Sequence, residues 1–80
     1  MAKLIAKAKF HADAASDWRD IAKVHKKEKE RYLEQQATLI AEAHSLASRH
    51  CYRGDTDEIR AYERDVGISK QAYYDELEAT

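Results

Sequence analysis

The side chains best suited to hold a metal in this 80-residue chain are His25, His44, His50 and Cys51. A structural zinc site draws such ligands from close pairs, and a helical metal pair draws them from adjacent turns. His25 and His50 stand 25 residues apart on what reads as one helix, so they cannot converge within one chain. His44 and His50 are six apart and miss the adjacent-turn spacing. Packing on an amphipathic stripe explains all of them better, and neither a metal nor another cofactor is expected. Catalytic signatures are missing too: there is no nucleophile elbow, no phosphate-cradling glycine loop and no H-E-x-x-H. With two glycines, the chain has little of the irregular backbone that active sites use, and a non-enzyme is expected.

The remaining chemistry is that of recognition. Trp18, Tyr32, Tyr52, Tyr62, Tyr73 and Tyr74 supply bulk that an alanine-rich chain otherwise lacks, with tyrosine hydroxyls reaching the surface. Exposed tyrosine beside arginine is the composition of an interface hot spot. Tyr32, Gln36, Arg60, Arg64, Tyr74, Glu76 and Glu78 are therefore the candidate partner-binding residues. The net charge of −1 hides an asymmetry. Met1–Tyr32 holds nine Lys/Arg against five Asp/Glu, a balance of +4, and Arg53–Thr80 holds four against eight, a balance of −4. Neither end has the strong positive footprint of a dedicated nucleic-acid binder.

The elements that must carry these residues form one small domain of mostly helical character. The organising stretch runs from Asp17 to His50, with Trp18, Ile21, Ala22, His25, Tyr32, Leu33, Gln36, Leu39, Ile40, Ala43, Ala47 and His50 on one stripe. The spacing predicts a long central helix over 13–52. A break near Lys26 to Lys29, giving two antiparallel helices, is the alternative, but no turn-forming residue stands there and continuity is favoured. Such a rod would span about 50 Å, more than a domain this small can wrap, which points to a partner or a homodimer. Residues 1–12 alternate nearly with period two and read equally as a short strand or a helix. Arg53-Gly54-Asp55 marks the one internal loop, better explained as a helix-ending turn than as the integrin-recognition tripeptide that it resembles. Short helices over 55–66 and 69–79 follow, parted by a Gly67 C-cap and a Ser69 N-cap, and fold back on the long one. The fold class is all-α, with one short N-terminal strand left open.

The stretch from Ile59 to Leu77, about a quarter of the chain, resembles the helix-turn-helix of transcription regulators. Gly67 stands at the turn, Val66 and Ile68 flank it, Ser69 caps the second helix, and Tyr73 and Leu77 face inward. The resemblance implies that Lys70, Gln71 and Tyr74 contact DNA in the major groove. Glu63 stands where that family prefers a small residue, and Asp75, Glu76 and Glu78 make the would-be recognition helix acidic. A plain helical hairpin explains the same residues. A single cysteine excludes an intramolecular disulfide, and no uninterrupted apolar run indicates a membrane span or signal peptide, so a cytoplasmic protein is expected. The function expected is that of a non-catalytic helical regulator or inhibitor that binds a partner protein. It is of the size and charge of a phage or mobile-element product that masks a basic nucleic-acid-binding surface. A dimeric helix-turn-helix regulator is the alternative.

Overall fold

The computed structural model describes residues 2–79, all but two loops of which lie in three helices. These are α1 (Ala2–Lys27), α2 (Arg31–Arg53) and α3 (Thr56–Ala79), running up, down and up. The bundle measures 42 × 19 × 13 Å, so its long axis is close to the roughly 39 Å rise of a 26-residue helix. The all-helical class is as expected, but the division into helices is not.

The long central helix is two helices. The chain reverses through Glu28, Lys29 and Glu30, and the reversal is a Schellman motif built without glycine. Lys29 takes a left-handed φ of 62°, its N–H reaches Lys26 O at 3.1 Å, and the Glu30 N–H reaches His25 O at 2.9 Å. A left-handed lysine costs roughly 1–2 kcal/mol. Folding the rod back on itself outweighs that, because the apolar stripe of its first half then covers that of its second. At the other loop Gly54 does what its residue type predicts, with φ 80° and its N–H on His50 O.

The first twelve residues contain no strand among those described. Residues 2–12 are the opening turns of α1, and Met1 lies outside the described residues. Their inward positions continue a seam of Leu4, Ala8, His11, Ala15, Trp18, Ala22 and His25, spaced alternately by four and three. In α2 the matching seam is Leu33, Ala37, Ile40, His44, Ala47 and Cys51, all buried. Alanines at so many of these positions let α1 and α2 approach closely.

The two short C-terminal helices are one. Gly67 lies inside α3 with helical backbone, and Ile59, Val66 and Tyr73, seven residues apart, keep one buried face across it. A glycine inside a helix costs about 1 kcal/mol, less than a break in that face. A Cβ added at Gly67 would meet nothing within 4 Å. Gly67→Ala is therefore expected to stabilise the protein by about 1 kcal/mol, raising Tm by about 4–8 °C. A thermal melt followed by circular dichroism tests this, and a lowered Tm would mean that α3 needs a hinge there.

Candidate functional site

The buried core is not continuous. One apolar cluster contains Trp18, Ala22, Leu33, Ala37, Ile40, Ala41, Ala43, Val66 and Tyr73, and a second contains Ala8, Cys51 and Ile59. Between them lies a polar layer with one member from each helix. His11 of α1 sets its Nδ1 2.8 Å from Nδ1 of His44 on α2, and its Nε2 2.9 Å from Oε2 of Glu63 on α3. Lys7, one turn before His11, pairs with the same carboxylate at 3.0 Å. With Glu63 ionised, His11 donates its Nε2–H to the carboxylate and accepts at Nδ1 the N–H of His44. The heptad seams place these residues: His11 and His44 occupy core positions, and Glu63 lies on α3 between Ile59 and Val66.

Electrostatics follow from this placement. Burial first, then the neighbouring His11 and Lys70, push His44 down to about 4. Burial opposes ionisation of Glu63, yet the hydrogen bonds from His11 and Lys7 outweigh it and hold the carboxyl below its usual range. Burial pushes the Cys51 thiol up, which leaves it a packed, unreactive side chain.

The other two histidines also tie elements together. His25 donates from Nδ1 to Glu30 at 3.1 Å and accepts at Nε2 the Tyr73 hydroxyl at 2.8 Å. The hydrogen bond from His25 lowers the pKa of Glu30, and burial raises that of Tyr73. His50 meets Asp55 at 2.9 Å across the Gly54 turn and stacks on Tyr62 with ring centroids 5.4 Å apart. Each imidazole is thus committed to a protein partner. Among the described residues no group of three or more His, Cys, Asp or Glu is arranged to hold a metal.

The predicted partner-binding residues do not form one surface. Tyr32 and Glu76 share a shallow pocket with Glu30, Arg31 and Leu33 at the end where α1 turns into α2. Gln36 is half-buried on α2, and Glu78 is exposed near the end of α3. Arg64 lines a separate depression with Gly67, Ile68, Gln71, Ala72 and Asp75, and Arg60 is exposed one turn earlier. Tyr74 turns toward α1, its ring 6.4 Å from Trp18. The bihelical geometry implied for Ile59 to Leu77 is absent, because α3 has no turn at Gly67. Lys70 is half-buried toward His44 rather than presented outward, and the Gln71 amide donates to Asp75 at 2.9 Å.

A feature not anticipated from sequence lies between α2 and α3. A groove of about 230 Å³ is lined by Leu39, Glu42, Ala43, Leu46, Tyr62, Asp65, Ile68 and Ser69. Its banks expose Leu39 by 42% and Ile68 by 63%. Both side chains lie off the heptad seams, so the bundle closes without covering them. Leu39 belongs to the long stripe in the sequence, and that was its only signal; Ile68 reads there as the flank of a turn. The chain matches no protein-family model, no curated protein and no solved structure. Its own geometry therefore carries the functional reading. No helix among the described residues is long and apolar enough to cross a membrane.

Proposed function

We propose that this chain is a non-catalytic helical interaction module, a small regulator or inhibitor that works by docking on a partner protein. The groove between α2 and α3 carries the reading. Large apolar side chains on two facing helices, left open by a bundle whose seams are already filled, are the usual mark of a protein-binding surface. Among the described residues, the charged side chains lining it are Glu42 and Asp65. An isologous pairing of two such grooves would set carboxylates against carboxylates, so a partner with basic residues around an apolar stripe suits it better than a second copy.

The wider surface supports the same choice. From Thr56 to Ala79 the helix carries seven acidic against three basic side chains, a balance of −4. An acidic helix beside an apolar groove suits a partner surface that otherwise contacts phosphates, which is how such a protein would mask a nucleic-acid-binding site. Tyr32 with Glu76 at one end, and Arg64 beside Ile68, would contribute at the rim.

The test uses the immobilised protein and a host lysate. A defined protein should be retained by the wild type, and Leu39→Glu with Ile68→Glu should reduce its retention at least tenfold. Both side chains are exposed, so the double variant should still fold, which its urea transition checks. Equal retention by wild type and variant would remove the groove from the proposal.

A further inference from the structure

The polar layer has a property that its hydrogen-bond count fixes. Two Nδ1 atoms 2.8 Å apart can hold one hydrogen between them, because one nitrogen must offer a lone pair to the N–H of the other. His11 and His44 are 5% and 4% exposed, so neither ring can turn away from the other without a change in the packing around it. The charged and titratable groups facing them are Lys7 on α1 and Glu63 and Lys70 on α3. One carboxylate can compensate one added charge. Two lysines oppose any more.

We propose that His11, His44 and Glu63 form an acid-operated latch, which takes up one proton by relay without moving and opens the bundle at this layer when a second arrives. The first proton binds Nε2 of His44, and the shared hydrogen passes from His44 Nδ1 to His11 Nδ1. The charge then rests on His11, opposite the Glu63 carboxylate. Every hydrogen bond survives, with only the direction of the middle one reversed. Within the histidine pair a second proton has only the Nδ1 lone pair of His44 to bind. Two N–H groups would then face each other across 2.8 Å, and the contact must part. Parting it admits water between the two apolar clusters, since His11 and His44 separate them. The position of His44 down to about 4 agrees with a second proton that arrives late.

Heteronuclear NMR of the imidazoles in the whole protein, from pH 8 to pH 3, reads both steps. One ring of the pair should titrate while the backbone amide signals of Ala8, Ala15 and Ala47 stay in place. The other should titrate at distinctly lower pH, together with the loss of those amide signals. In His44→Gln the side-chain amide can still donate to His11 Nδ1 but cannot take a proton, and its acid opening should move down by at least one pH unit. His50→Gln, at the far turn, should open at the wild-type pH. The proposal is overturned if both rings titrate together near the ordinary histidine value, or if His44→Gln opens where the wild type does. Should His44→Gln fail to fold at neutral pH, the spacing of the two wild-type steps still decides.

Discussion

Trp18→Ala is expected to cost about 3–5 kcal/mol, the largest loss available from one side chain in this protein. Domains of this size have on the order of 4–12 kcal/mol in all, so the variant should lose a large share of its stability. The size of the effect follows from how the helices meet. Among the described residues, α1 and α3 bring no pair of Cα atoms within 8 Å. Long side chains fill the space between them, and Trp18 is the largest. Its ring is 8% exposed and stands edge-on to Tyr73, with centroids 5.0 Å apart and planes at 89°. The buried residues nearby include Ala15, Ala22, Ala37 and Ala41, which have no volume to collapse into the gap. A urea titration followed by circular dichroism checks this, with the midpoint falling and the slope unchanged. Trp18→Phe should recover most of the loss. A cost below about 1 kcal/mol for the alanine variant would mean that α1 and α3 are not held through this ring.

The helical class, the loop at Gly54 and most of the buried stripe are legible from residue types alone, because amphipathic spacing and a left-handed glycine are local signals. The reversal at Lys29 is not. Trp18, His25, Tyr32 and Leu39 are each seven apart and run straight through it, which imitates one continuous helix. The true seam passes from His25 to Leu33, a step of eight, and that one-residue slip, with the run of charge around it, marks the break that was the alternative reading. As a result Tyr32 and Leu39 are exposed, although the long stripe would place them inside. Gly67 misleads in the opposite direction, since a glycine flanked by Val66 and Ile68 marks a helix end only when the chain takes up positive φ. The polar layer was hidden for a tertiary reason. His11 and His44 are 33 residues apart and meet only once α1 and α2 are antiparallel. Their heptad positions place each in a core, but nothing local says that two histidines share one layer with Glu63.

The same layer makes stability depend on pH with a definite sign. His44 is held at about 4 in the folded protein, below the ordinary histidine value of 6.5. A group with a depressed folded pKa favours its neutral form in the native state, so its contribution is whole above pH 6.5. As pH falls from 6.5 toward about 4 the unfolded chain takes up a proton that the folded chain refuses, and stability declines throughout that window. At 1.36 kcal/mol per pH unit the loss is on the order of 3 kcal/mol. Glu63 acts in the same direction but lower, since its folded pKa lies below 4.5 and its contribution fades as pH falls through that range. Urea midpoints measured between pH 7.5 and pH 4 should therefore fall steadily for the wild type. In His44→Gln the fall between pH 6.5 and pH 4 should be shallower by the His44 share. If the two curves run parallel, His44 titrates alike in the folded and unfolded chains, and burial beside His11 and Lys70 does not hold it neutral.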